Sequence, residues 1–192
     1  MLNVEIYQTL ENRGNDYEVE KHGPYLCKEY NSNGSKKQGI KAPWLGEGYY
    51  FWDTRMTDAQ WWGDTVYKQN GYIICKTTYD QHSSLLYDLV GVTKLFDDFV
   101  ACAEYIKKQR GLPKITFSVV LAYLKEHTHF AYKAIRVYPF PLKYKETGVV
   151  FPKEKVILSK AEKIQICFFD KTLLVEPYRI VAKKVCIKDQ TI

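Results

Sequence analysis

Residues 44–63 read W-L-G-E-G-Y-Y-F-W-D-T-R-M-T-D-A-Q-W-W-G, and the rest of the chain is best read outward from them. Gly46 and Gly48 free the backbone ahead of four consecutive rings, Tyr49, Tyr50, Phe51 and Trp52. Aromatic residues favour strands, and successive side chains of a strand point to opposite faces. Tyr49 and Phe51 therefore share one face, and Tyr50 and Trp52 the other, so one pair can fill a core while the other lines a cleft. A flat, electron-rich ring in a cleft suits stacking on a flat heterocycle, and a cationic one gains a cation–π contribution. Thr57 and Gln60 then stand at capping-box spacing, which predicts a helix running to about residue 68 and closing near Gly71. Trp61 and Trp62 lie about 100° apart on that helix. One is expected in the core and the other over the cleft.

Upstream, residues 16–30 mix apolar and polar positions in a strand-like way, broken by Gly23-Pro24. Downstream, residues 72–79 (YIICKTTY) read as a strand and residues 83–90 as a short helix. Thr93 can cap a longer helix whose inner face carries Leu95, Phe96, Phe99, Val100, Ala103 and Ile106. Lys107, Lys108, Arg110 and Gly111 supply its C-terminal signal. Residues 115–126 fit helix or strand, with length favouring helix. Residues 139–160 contain Pro139, Pro141 and Pro152 and read mostly as loop, and strands return at 132–138, 163–169 and 178–187. Strands, then helices, then strands indicate an α+β fold, one domain over residues 1–192 with a helical insert at about 83–127.

The bulk numbers remove other classes. The chain of 192 residues is 46% hydrophobic and 26% charged, which excludes global disorder. Five cysteines, an odd count with no C-x-x-C spacing, point to buried reduced thiols and away from a disulfide framework. His127 and His129 have no third ligand nearby in sequence, so they read as a surface pair and no metal site is expected. No phosphate-loop or dinucleotide glycine motif occurs. The N-terminus lacks a basic region followed by an apolar stretch, and residues 115–124 make an apolar run about half the length of a membrane span. A soluble, cytoplasmic protein with no membrane partner is expected. Of the net charge of +6, residues 141–192 carry +5, which suits an anionic partner.

The G-E-G-Y-Y-F-W segment, followed by a helix containing Ala59, resembles the central motif of the ADP-ribosyltransferase superfamily. The resemblance is closest to small bacterial toxin-like members and to the H-Y-E branch of diphtheria-toxin and poly-ADP-ribose-polymerase type. His22-Gly23 resembles the first motif, a His-Gly at the end of an early strand, with Pro24 where Thr or Ser is usual. Lys163-Ile164-Gln165-Ile166-Cys167-Phe168 resembles a Q-I-containing form of the third motif, and Glu176-Pro177-Tyr178 fits after it.

The resemblance implies split antiparallel sheets with an NAD cleft between them and transfer of ADP-ribose from NAD to a macromolecular acceptor, nucleic acid or protein. It implies that His22 holds a ribose hydroxyl, that the backbone of Gly23 binds the nicotinamide amide and that Tyr50 stacks on the nicotinamide ring. It also implies that Gln165 binds the 2′-hydroxyl of the nicotinamide ribose. Gly48, Tyr49, Arg55 and Trp62 complete the expected NAD-binding set. Arg55 can meet the pyrophosphate or stand as an exposed loop residue. Gln165 occupies the place of the family's usual Glu. An amide binds a hydroxyl but neither takes a proton nor opposes a developing cation with full charge, so Glu162 or Glu176 is a candidate to assist. The implied setting is a bacterial toxin or phage-defence effector with an antitoxin or immunity protein. The alternative is a weak or inactive NAD-, ADP-ribose- or nucleic-acid-binding module.

Overall fold

Strand pairing, not local propensity, sets the architecture. The computed structural model describes residues 3–31, 33, 35–37, 43–139, 148–151, 156–159 and 163–185. The elements run β1 (Asn3–Glu11), α1 (Asp16–His22), β2 (Tyr49–Asp53), α2 (Met56–Val66), β3 (Tyr72–Asp80), β4 (Leu86–Asp88) and α3 (Thr93–Arg110). They continue with α4 (Phe117–His127), β5 (Ala134–Val137), β6 (Gly148–Phe151), β7 (Val156–Ser159), β8 (Gln165–Phe168) and β9 (Leu174–Lys184). The fold is α+β, with α3 and α4 inserted between β4 and β5.

Seven strands form one sheet in the order β4-β5-β8-β2-β1-β3-β9, where two separate antiparallel sheets were expected. All neighbours are antiparallel except β4 and β5. The sheet has a weak join. β1 pairs with β3 along its whole length, from Asn3↔Asp80 to Glu11↔Tyr72. It pairs with β2 only at Ile6↔Asp53 and Tyr7↔Trp52. One further backbone bond, from the Thr54 N–H to the Glu5 carbonyl at 3.1 Å, extends this contact, but past Tyr7 the two strands no longer pair, leaving a short seam between two halves of the sheet.

Alternation along the strands explains the three cores. One face collects Ile6, Leu10, Phe51, Ile73, Tyr79, Ile166 and Phe168 beneath α1, whose Val19 is fully buried. The rings of Phe51 and Tyr79 both meet Phe168 edge-on at 5.6 Å. The other face carries two clusters: Tyr7, Trp52, Tyr72 and Ile74 under Ala59 of α2, and Tyr87, Ile135, Val137 and Cys167 under α3 and α4.

Several elements differ from the sequence reading. Residues 16–22 are helix, because Asp16 and Glu18 occupy the first turn and Lys21 and His22 the last, each complementing the helix dipole. Gly23, at φ 76°, ends that helix by donating its N–H to the Val19 carbonyl at 2.8 Å. Residues 86–88 are strand, because parallel pairing with β5 overrides the local preference for helix. The stretch read as loop contains the β6–β7 hairpin, paired from Gly148↔Ser159 to Phe151↔Val156. α2 forms where a helix was expected, but it starts before Thr57, with Arg55 as its N-cap and no side-chain cap, and it ends at Val66. Thr93 opens α3 from inside rather than capping it, whereas the Thr116 side chain does cap α4. Gly111 closes α3 in the left-handed region, as its sequence signal indicated. On α3, Phe99 and Ile106 are buried, but Phe96 and Val100 are 49% and 43% exposed.

Cys75 and Cys167 are fully buried, and burial pushes both thiols up to about 12. In the native protein at pH 8 neither should react with iodoacetamide, whereas Cys27, on an exposed residue, should react, though slowly because partial burial of its thiol also raises its pKa. Mass spectrometry after labelling in buffer and in denaturant checks this. Native labelling of Cys167 would contradict the packing of β8.

Candidate functional site

β2 sits between β8 and the seam, and its pairings decide which candidate residues meet. Tyr50 lies opposite Cys167, and Trp52 opposite Gln165. Directly paired residues share a face, so Tyr50, Trp52, Gln165 and Cys167 lie on one side of the sheet, with Tyr50 and Gln165 diagonal neighbours. Tyr49 and Phe51 lie on the other, as expected.

The Tyr50 hydroxyl and the Gln165 side-chain oxygen on this face both have partners. The Tyr50 hydroxyl donates to the Gly46 carbonyl at 2.8 Å and accepts from the Leu45 N–H at 2.9 Å. Burial raises its pKa, so the phenol is neutral at physiological pH and is no base. Gln165 Oε1 accepts from Trp44 Nε1 at 2.7 Å, and the Trp44 ring meets Phe117 edge-on at 5.2 Å. The loop at 44–46 is thus strapped across the sheet by two ring residues. Gly48 is required there for space. A Cβ at this position would lie 2.7 Å from the Phe168 carbonyl oxygen and against Cys167 Sγ. Its backbone also bonds Cys27 in both directions, at 2.9 and 3.1 Å.

Trp62 lies on the same side, in a cluster of three indoles with centroids 5.9 Å from Trp52 and 6.1 Å from Trp61. Trp62 is the more buried of the helix pair and Trp61 the exposed one. Arg55 begins the same helix. Its Nη1 is buried and has no hydrogen-bond partner among the described residues. An anionic group would satisfy that nitrogen. Beyond Val137, which pairs with Gln165, a cavity of about 390 Å³ is lined by Phe96, Phe99, Phe117, Val137 and Tyr138.

His22 and Gly23 do not join this group. His22 is the last residue of a helix, where the resemblance placed it on a strand, and its side chain is exposed. Its carbonyl accepts from Lys171 Nζ, and that ammonium also lies 5.2 Å from the Tyr49 ring and 5.9 Å from the Tyr178 ring. Gly23 is buried, with a Cβ there 2.6 Å from Tyr178 Cζ, and its N–H is spent on the helix end. His22, Gly23 and Tyr49 therefore gather on the face opposite Tyr50 and Gln165. Glu176 sits on β9, separated from β8 by three strands, so it cannot assist Gln165. Glu162 lies outside the described residues. His127 ends α4 with its ring 4.3 Å from Tyr123. No group of three or more potential metal ligands occurs among the described residues.

Two features escaped the sequence reading. Gln8, 3% exposed, fills the opening seam. Its Nε2 donates to the Tyr50 carbonyl at 3.1 Å, and its Oε1 accepts from the Tyr25 N–H at 3.1 Å. A polar residue within an apolar alternating strand was the available signal. The second is a buried ionic cluster. Arg136 Nε donates to Asp53 Oδ2 at 2.7 Å, and Nη1 reaches both oxygens of Asp88 at 3.2 Å. Asp88 Oδ1 also accepts from the Val90 and Gly91 N–H groups at 2.9 and 3.0 Å. The three residues are at most 8% exposed, and they tie β4 and β5 to the end of β2 across β8. No pattern in the sequence pairs residues so far apart.

The chain matches no protein-family model, no curated protein and no solved structure. No helix among the described residues is long and apolar enough to cross a membrane.

Proposed function

We propose that the chain transfers ADP-ribose from NAD to a macromolecular acceptor, nucleic acid or protein, as a bacterial toxin or defence effector. The observation that carries this reading is the placing of Tyr50 and Gln165 on one face of adjacent strands, beside the seam where the sheet parts. Arg55 adds support, because the unpartnered Nη1 offers a contact for the pyrophosphate. In the transfer, the bond from the ribose C1′ to the pyridinium nitrogen breaks and its electron pair leaves with nicotinamide. A bond from the acceptor to C1′ forms, and the acceptor releases a proton. The neutral Gln165 amide would hold the 2′-hydroxyl, and the Tyr50 ring would stack on the nicotinamide. Both act by position and dipole rather than by proton transfer. First-motif duty does not fall to His22, which is on the other face.

A second reading is a binding module that holds NAD or ADP-ribose without transferring it. The favouring observation is that Gln165 is an amide already engaged by Trp44. Labelled NAD incubated with the protein and a cell lysate separates the two. Transfer predicts label in a protein, RNA or DNA fraction, and loss of that label in Tyr50→Ala. Binding without nicotinamide release supports the module.

A further inference from the structure

The β6–β7 hairpin is a two-stranded sheet of its own, apart from the seven-stranded one. A ribbon of two strands is marginal by itself in water and needs an apolar cover. Its sequence suits such a cover. Val149, Phe151, Val156 and Leu158 share one face, with Val149 paired to Leu158 and Phe151 to Val156, and Val150 and Ile157 share the other. None of the strand residues 148–151 and 156–159 is charged or proline, so the strands lack the residues that ordinarily blunt an edge.

α3 carries a complementary surface. Val92, at its N-cap, and Phe96 and Val100, each one turn further on, are 44%, 49% and 43% exposed. Phe96 and Val100 also wall the cavity of about 390 Å³, together with Phe99, Phe117 and Val137. A contiguous exposed apolar patch of this kind marks an interaction site. Within the described residues α3 packs on α4 and β4. From Val92 to Glu104 the charges are Lys94 against Asp97, Asp98 and Glu104, a net of −2, and over residues 148–159 they are Lys153 and Lys155 against Glu154, a net of +1. The two surfaces are thus both apolar and opposite in charge. β6 begins ten residues after Tyr138, which also lines the cavity, so each chain carries both halves of the contact close together in sequence.

We propose that two copies of this chain form a two-fold dimer, in which the Val149–Phe151–Val156–Leu158 face of each hairpin covers the Val92–Phe96–Val100 stripe and the cavity of the other copy. A chain that holds both halves of a contact can close it in a symmetric pair. Making the contact twice doubles the area buried, toward the about 800 Å² per partner of a stable interface. The dimer does not rest on ADP-ribose transfer.

Sedimentation of the full chain over a range of concentrations tests it, with circular dichroism to check the fold of each variant. The native chain should show twice the 22.5 kDa mass of one copy. Val100→Glu and Leu158→Lys each set a charge against an apolar surface, and each should sediment as a monomer. An equal mixture of the two variants should recover the dimer mass, because one contact is then native and the other brings opposite charges together. If Leu158→Lys disturbs the fold, Val149→Lys takes its place. A native chain that is monomeric at every concentration, a dimer that either folded variant keeps, or a mixture that stays monomeric overturns the proposal.

Discussion

Replacing Arg136 with alanine is expected to destabilise the protein by about 3–5 kcal/mol, the loss seen when one partner of a buried ion pair is removed. For a chain of this length that corresponds to a fall of roughly 6–20 °C in the thermal midpoint. Asp53 and Asp88 are 2% and 8% exposed, so removing the guanidinium leaves carboxylates that water reaches poorly. Asp88 keeps its contacts with the Val90 and Gly91 N–H groups, whereas among the described residues Asp53 keeps a long contact with the Tyr79 hydroxyl at 3.5 Å. The larger penalty therefore falls on Asp53, at the end of β2. Arg136→Lys should be intermediate, because a single ammonium cannot span two carboxylates as a guanidinium fork does. Thermal melts followed by circular dichroism read the effect. A midpoint within about 2 °C of the native value for Arg136→Ala would remove the cluster from the account of how β4 and β5 are held.

The second large effect is expected at Gln8. Gln8→Leu keeps an apolar stem in the seam but leaves the Tyr25 N–H and the Tyr50 carbonyl without their partner. Two groups at about 1–3 kcal/mol each would cost about 2–6 kcal/mol if fully buried; both are part-buried, so the loss should fall in the lower half of that range, about 2–4 kcal/mol. The consequence is local as well as global. The segment from Tyr25 to Cys27 is held against β2 by Gln8 and by the backbone bonds between Cys27 and Gly48. Hydrogen exchange at the Cys27 and Gly48 amides should therefore rise in Gln8→Leu more than exchange along β3. Uniform acceleration across the sheet would show instead that Gln8 serves general stability.

What the sequence disclosed and what it withheld follow one physical division. The face alternation of residues 49–52, the helix from 56, and the closing of α3 at Gly111 depend on neighbours within a few residues, and a pattern records them. The α1 helix was hidden because a short amphipathic segment before Gly-Pro also reads as a broken strand. β4 was hidden because three residues take strand geometry only when β5 pairs with them. The same division runs through the site. Tyr50 and Gln165 come together because β2 and β8 are neighbours, a pairing of residues more than a hundred positions apart. His22 was placed by a two-residue motif, and a His-Gly pair at a helix end carries the same letters as one at a strand end. Gln8 and the Asp53–Arg136–Asp88 cluster are joined by tertiary contacts alone, which residue spacing does not encode.

The most direct test of the proposed transfer measures nicotinamide released from NAD by the purified protein, with and without RNA, DNA and protein fractions. The account predicts release that rises with one acceptor class, with label from the adenylate moiety entering that class, and loss of both in Tyr50→Ala and in Gln165→Ala. No release above the protein-free control with any fraction, or release that both variants retain in full, would contradict it.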